Sequence, residues 1–388
     1  MDTESRSFIT LYNTSMKQPK IAFVHDYLVN YGGAEKVLEA LLELYPGGPV
    51  YTSMYDPAKL SDTITGRKII CPQTALFKKF PKYLTFLMPM VFEDFDLREY
   101  DIVVSDSSAW SKGVLTKPEQ LHISYIHTPP RFLYKYSVES AKRSAWYFKP
   151  FVTVLDSLLR VWDQSAAQRP NYLIANSEEV RSRIKKFYGR DAQVIYPPVE
   201  VVVETSPAGG NKKPYFLAMG RLAAYKNFNL VIEAFRNIPV ELWIAGTGRE
   251  EEGLKGMAGS NVKFLGKISD IEKHSVIENC LGVINAVKDE DFGIVPVEAM
   301  AHGKPVLAHK SGGHLETVIE GVNGMFFEDG DVKELELKIK EFEQAILDNK
   351  FNPKIIKESV VKFSKQRFQN EIKAFIEEKW AEHQKYNA

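Results

Sequence analysis

A chain of 388 residues is too long for one ordinary hydrophobic core and points to two domains, or three. Apolar residues make up 44% and charged residues 26%, a soluble globular balance that excludes a disordered or membrane-embedded chain. The 50 lysines and arginines cancel the 50 aspartates and glutamates, so no global field selects nucleic acid or an acidic substrate.

Residues 1–19 begin acidic and hold no apolar core, which reads as a flexible lead-in rather than a signal peptide. "KIAFVHD" (Lys20–Asp26) is a buried-strand candidate, and "GGAEKVLEALLELY" after it sets Val37, Leu38, Leu41, Leu42 and Tyr45 on one helical face. Further strands are expected at Asp101–Ser105, His122–Ile126, Tyr172–Ala175 and Gln193–Ile195, completing a first α/β domain over 20–196. Residues 197–213, rich in Pro and Gly and without helical period, read as a linker. The alternation restarts over 214–362 with "YFLAMG", a helix from Asn227, "VELWIAG", "VKFLG" and "LGVINA". Residues 363–388 carry an amphipathic helix, Phe363–Trp380, expected to pack back across the domain junction. Two such domains enclose a cleft at the carboxyl ends of their strands, where ligands of parallel sheets bind.

Cys71 and Cys280 lack metal-ligand spacing and read as free thiols of a reducing compartment. No apolar run reaches the ~18 residues of a membrane span, so the expected location is cytoplasmic, with peripheral contact at the inner face of a membrane. Thr63–Phe92 supports that contact with five basic residues, no acidic one and many large apolar side chains. Arg131–Lys149 is also basic and aromatic, and snorkelling lysines over a packed core are the bland alternative for both.

The chemistry concentrates in "KDEDFGIVPVEAMAHGKPVLA" (Lys288–Ala308). Pro296 fits only the first turn of a helix, which places the helix start at Ile294–Pro296, Glu290 in the preceding loop and Glu298 near the helix start. The amides of Phe292, Gly293, Ile294 and Val295 then present a positive end to an anion, unless the stretch is simply an acidic helix start. Asp289, Glu290 and Asp291 invite a metal, but no further ligand at useful spacing completes a set. Arg221 and Lys226 follow a strand and suit a phosphate; a solvated basic loop is the alternative. Gly32 and Gly33 allow close backbone approach, and His127 ends a strand in "SYIHTPPRFLYKY" facing the cleft. His25 and His122 suit hydrogen-bonded core positions instead. "AGTGREEEG" carries Glu251 where a dinucleotide fingerprint needs its third glycine, and no Gly-x-Ser-x-Gly elbow occurs.

Together, Gly32-Gly33-Ala34-Glu35, His127-Thr128-Pro129, Gly220-Arg221 with Lys226-Asn227, Glu290 and Glu298 around Phe292–Val295, and Gly312-Gly313 with Glu316 resemble the retaining GT-B glycosyltransferases. That large family includes bacterial lipopolysaccharide mannosyltransferases, and the resemblance runs from about Lys20 to Trp380. It implies an α/β fold of two Rossmann-like domains with parallel sheets facing a cleft. It implies Glu290 beside the donor sugar, Glu298 on the ribose, Arg221 and Lys226 on the diphosphate, and Gly32 and Gly33 near the phosphates. His127 would contact the sugar, and Gly266, Lys267 and Ile268 would border the base. No metal or other cofactor is implied. The donor implied is GDP-mannose, with a UDP-sugar as the alternative, and the acceptor a glycan or lipid-linked glycan. Rivals are a sugar epimerase, a phosphorylase (which would want a pyridoxal lysine that no motif supports) and a non-catalytic sugar-nucleotide binder.

Overall fold

The computed structural model describes residues 19–72, 85–135, 149–200, 213–329 and 331–387. The first sheet consists of β1 (Ile21–His25), β2 (Val50–Thr52), β3 (Ile69–Ile70), β4 (Ile102–Ser107), β5 (Leu121–Ile126), β6 (Tyr172–Ala175) and β7 (Gln193–Val194). Their spatial order is β3-β2-β1-β4-β5-β6-β7, every pairing parallel. The second comprises β8 (Tyr215–Met219), β9 (Glu241–Ala245), β10 (Val262–Gly266), β11 (Val283–Asn285), β12 (Val306–His309) and β13 (Gly324–Phe327). It is also parallel, in the order β10-β9-β8-β11-β12-β13. Parallel strands are covered on both faces, which is why β1 reads as an unbroken buried run rather than an alternating one.

Six helices matter to the site: α1 (Gly33–Leu44), α2 (Lys149–Ala166), α3 (Glu178–Tyr188), α4 (Asp270–Asn279), α5 (Ile294–Ala301) and α6 (Lys365–Asn387). The helical face read on α1 is buried at Val37, Leu38, Leu41 and Leu42. Strand order reverses at β1/β4 in one sheet and at β8/β11 in the other, so each domain opens a crevice there at its strand ends.

The chain crosses between the domains at two adjoining points, where Val199 N donates to the Phe363 carbonyl at 2.9 Å. Phe363 belongs to the core of the second domain, whereas Phe368, Ile372 and Ile376 of α6 lie in that of the first. Gln369 Nε2 donates to the Ala40 carbonyl (3.2 Å) and Lys365 pairs with Glu43 (2.5 Å), so α6 lies along α1. This helix begins at Lys365, two residues later than the pattern suggests, because Phe363 closes a short turn of its own.

Both α/β domains read from the sequence are present. The sequence reading did not find β2, β3, β12 or β13, which are two to four residues long. Strands that short carry no periodicity of their own; β7 and β11, equally short, are legible only from the longer stretches rich in apolar residues around them, and β12 lies inside the stretch read only for its helix. Asn227 is not helical; it takes φ +53 as the residue that launches the helix Phe228–Ala234.

Candidate active site

On the second domain, β11 ends at Asn285 and the chain forms an acidic loop before α5. Pro296 sits in the first turn of that helix, where its missing N–H costs no bond. Gly312 and Gly313 pack against the loop so closely that a Cβ at Gly312 would stand 2.4 Å from the Glu290 carbonyl oxygen. One at Gly313 would stand 2.5 Å from Phe292 Cα. Gly313 N in turn donates to the Glu290 carbonyl at 2.8 Å, which fixes the backbone of that residue. Phe292 is buried among Tyr196 and Phe363 and anchors the loop in the core.

Glu290 and Glu298 are only 8% and 9% exposed, and a carboxylate buried that far needs a cation beside it. Lys226 Nζ donates to Glu290 Oε2 at 2.7 Å. Burial alone pushes the Glu290 carboxyl up, but Lys226 and the nearby Arg131 outweigh it and hold it at about 2. Lys226 is likewise lowered by burial and raised overall by Glu290. Glu298 Oε1 accepts from Lys36 Nζ (2.6 Å) and Lys273 Nζ (3.1 Å), and these two cations overcome the cost of burial to depress its pKa. Lys36 comes from α1 of the first domain, so this pair spans the cleft.

The three consecutive acids do not converge. Glu290 turns to Lys226, while Asp291 turns outward to Arg131 Nη2 (2.6 Å) and to Arg183, both of the first domain. Among the described residues no group of three or more His, Cys, Asp or Glu side chains is placed to hold a metal ion. Beside Glu290, His314 is wholly buried and its Nδ1 donates to the His309 carbonyl at 2.9 Å. Burial pushes its imidazole down to about 4 against the pull of Glu290, and its Nε2 has no partner among the described residues.

Of the other second-domain candidates, Arg221 is exposed, with its guanidinium over the Tyr225 ring and a hydrogen bond to the Tyr225 hydroxyl at 3.0 Å. Lys226 Nζ lies 5.2 Å from the same ring, so Tyr225 joins the two cations. Gly266, Lys267 and Ile268 leave the end of β10 with Lys267 exposed and Ile268 packed on the core.

On the first domain, the turn after β1 brings Gly33 against α5, while Gly32 N donates to Glu35 Oε2 at 2.8 Å. A Cβ at Gly33 would stand 2.4 Å from Ile294 Cδ1, so a side chain there would have to displace the end of Ile294. His127, at the end of β5, donates from Nε2 to Asp106 Oδ1 at 2.5 Å, and His25 donates from Nδ1 to Asp106 Oδ2 at 2.9 Å. Asp106 is buried and serves both rings, while Asp26 accepts the amides of Ser108, Ala109, Trp110 and Ser111 to shape the adjoining loop. His25 therefore is a bonded interior histidine, and His122 is another, held by Ser105 at 2.9 Å.

The structure thus brings His127, Lys226, Glu290, Glu298, Gly33 and Phe292–Val295 to the seam between the two strand-end crevices. Sequence reasoning missed Lys36, Lys273, Asp106, Arg183 and His314, and assigned no role to Arg131. Lys36 lies one residue beyond the Gly32–Glu35 motif and Arg131 two beyond Pro129, which is the only signal the chain offers for either.

His25 yields a pH test. Burial lowers its pKa, but the hydrogen bond to Asp106 and the nearby Glu35 carboxylate, 3.6 Å away, more than reverse this and raise it to about 10. A raised folded pKa contributes stability that is complete below ~6.5 and is lost as the pH rises through about 10. The expected outcome is that the stability difference between wild type and His25→Gln shrinks from pH 7 to pH 10, by up to ~1.4 kcal/mol per pH unit. Denaturant titrations across that range check it, and parallel curves for the two proteins would contradict it.

Residues 205–359 match the family of group 1 glycosyl transferases. The chain is 26% identical to the human (Homo sapiens) alpha-1,3/1,6-mannosyltransferase ALG2 over 372 residues, covering 82% of this chain and 86% of the relative. Among solved structures, sucrose-phosphate synthase from Thermosynechococcus elongatus superposes with a TM-score of 0.70 at 18% identity, over 94% of this chain and 100% of the other. Anabaena HepE, in complex with UDP-glucose, gives 0.67 at 20% identity over 93% and 100%. The named relatives include eukaryotic enzymes, so the similarity reaches beyond the bacterial lipopolysaccharide enzymes that the motifs resemble. With two facing parallel α/β domains, the family match and these relatives, the chain is a GT-B glycosyltransferase whose second domain carries the group 1 glycosyl transferase signature.

Proposed function

We propose that the protein transfers mannose from GDP-mannose, with retention at the anomeric carbon, to a glycan or lipid-linked glycan. The observation that carries the reading is the buried Lys226–Glu290 pair at the β8/β11 crevice, and the names of the mannosyltransferase relatives support the sugar. Lys226 and the neighbouring Arg221 receive the departing diphosphate; one cation ~4 Å from a phosphate charge contributes about 4 kcal/mol at an effective dielectric near 20. The anomeric C–O bond breaks with its electron pair leaving on the phosphate, the acceptor hydroxyl oxygen bonds the same face, and its proton passes to the leaving phosphate. Charge grows on that phosphate as the bond breaks, so the two cations act in the transition state. Glu290, ionised by Lys226, faces the positive charge that develops on the sugar ring, while Glu298 receives the ribose hydroxyls from Lys36 and Lys273. The cations stand where a divalent metal would otherwise neutralise the leaving group, and transfer proceeds without one.

A lipid-linked acceptor implies a membrane surface. No described helix is long and apolar enough to cross a bilayer. However, Val154, Leu158 and Val161 are 61%, 64% and 67% exposed at helical spacing along one side of α2. Phe86 and Met90 are exposed on and just before the helix Met88–Glu93, which Trp162 Nε1 ties to α2 through Glu93 at 2.7 Å. The basic run of Lys78, Lys79 and Lys82 lies outside the described residues, as does most of Arg131–Lys149. We assign this face of the first domain to the inner surface of an anionic membrane, with the protein on the cytoplasmic side.

Four outcomes are expected. GDP-mannose raises the melting temperature more than UDP-sugars do and is consumed after exhaustive chelation, while Lys226→Ala slows transfer by roughly two to three orders of magnitude, equal to ~3–4 kcal/mol. Transfer that needs added magnesium, or a Lys226→Ala enzyme at full rate, would overturn the mechanism, and preference for a UDP-sugar would overturn the donor. Wild type should also co-sediment with vesicles containing anionic lipid, and the double variant Leu158→Asp, Val161→Asp should not. Equal sedimentation of the two proteins would remove α2 from the contact.

A further inference from the structure

The loop carrying Glu290 is gripped from the opposite domain. Arg131, four residues after His127, donates from one nitrogen to the Asp289 carbonyl (2.8 Å) and to Asp291 Oδ1 (2.6 Å). Arg183 of α3 reaches the same two groups from two nitrogens, Nη2 to the Asp289 carbonyl at 2.8 Å and Nη1 to Asp291 Oδ1. Both guanidiniums are buried. Asp289 takes φ +55, a conformation an L-residue holds at a cost unless its surroundings impose it. Ser177 Oγ donates to the Asp291 carbonyl, and Glu316 accepts the amides of Glu178 (2.8 Å) and Glu179 (3.0 Å) at the start of α3. Every one of these contacts joins the second domain to the first, and they flank Glu290 on both sides.

We propose that Asp291, bracketed by Arg131 and Arg183, is a positioning residue that sets Glu290 for catalysis only when the two domains are closed. The second domain holds Glu290 by Lys226 and by Gly313 N and ties the Asp289 amide to Ser311 Oγ at 2.8 Å; the Asp289 carbonyl and the Asp291 carboxylate, on either side of Glu290, are held by guanidiniums from the first domain. Opening the cleft withdraws both guanidiniums at once, so the strained turn relaxes and the carboxylate loses its aim. The same turn of the first domain that presents His127 also presents Arg131, which ties contact with the sugar on one side to the placement of Glu290 on the other. A planar guanidinium spans a carbonyl and a carboxylate together, which a lysine ammonium on its flexible stem does not. This inference rests on the transferase reading for its kinetic consequence, and on geometry alone for the bracket.

The test uses the full chain with Asp291→Asn and, should that variant fold poorly, Arg131→Lys. Turnover with GDP-mannose, donor affinity by calorimetry, melting temperature and small-angle scattering are measured for each. A displacement of ~1 Å at a catalytic group costs about 10²-fold in rate. The expected result is a kcat lower by about 10²-fold for Asp291→Asn and about tenfold or more for Arg131→Lys. Donor affinity should stay within about threefold, the melting temperature should be little changed, and the ligand-free variant should have a larger radius of gyration. A kcat within threefold of wild type, a loss that follows donor affinity or the folded fraction, or unchanged scattering would each overturn the bracket. If the wild type turns over no nucleotide sugar, the transferase donor reading fails, while the scattering comparison still decides the bracket.

Discussion

A carboxylate buried at the end of a parallel sheet has to be matched by a cation, and in this molecule that demand organises the cleft. Glu290 is paired with Lys226 within its own domain, at the point where the strand order of the second sheet reverses. Glu298, one turn into α5, takes one cation from its own domain and one from the other. Asp291 takes both of its cations from the other domain. From Glu290 to Glu298 the compensating charge is thus local, then remote, then drawn from both domains, and the domain seam follows the acidic stretch.

The glycines serve the same end by sterics. Gly33 packs against the end of the Ile294 side chain, and Gly312 and Gly313 meet the backbone of Glu290 and Phe292 at separations no side chain allows. These contacts bring the start of α1, the start of α5 and the turn after β12 to one place. Asp106 does for the histidines what Lys226 does for Glu290, holding His25 and His127 on one buried carboxylate that they keep below the usual carboxylate range despite its burial.

Much of this was legible in the chain. The strands that flank the crevices, β1, β4, β5, β8 and β11, lie in stretches rich in apolar residues, and the motif residues follow them directly. Pro296 fixed the start of α5, which placed Glu290 in a loop and Glu298 on a helix. What could not be read is pairing across the cleft. Lys36, Arg131 and Arg183 lie 262, 160 and 108 residues from their partners, and nothing local marks a lysine on a helix as the partner of a distant glutamate. The short strands β2, β3, β12 and β13 were unreadable for another reason, since register with a neighbour makes them strands and their own pattern does not. The acidic triplet illustrates both limits. Its sequence suggests one shared ion, and the fold sends its members in different directions.

Glu290 is proposed to act in the chemical step and Glu298 in donor binding, and steady-state kinetics of Glu290→Gln and Glu298→Gln tests that division most directly. Contacts made equally in ground and transition states change KM, and those made only in the transition state change kcat. The expected result is a lowered kcat with donor affinity kept for Glu290→Gln, and a raised donor KM with kcat largely kept for Glu298→Gln, both proteins remaining folded. The reverse pattern, or two variants that simply unfold, would contradict the account and leave the stretch as the acidic start of an ordinary helix.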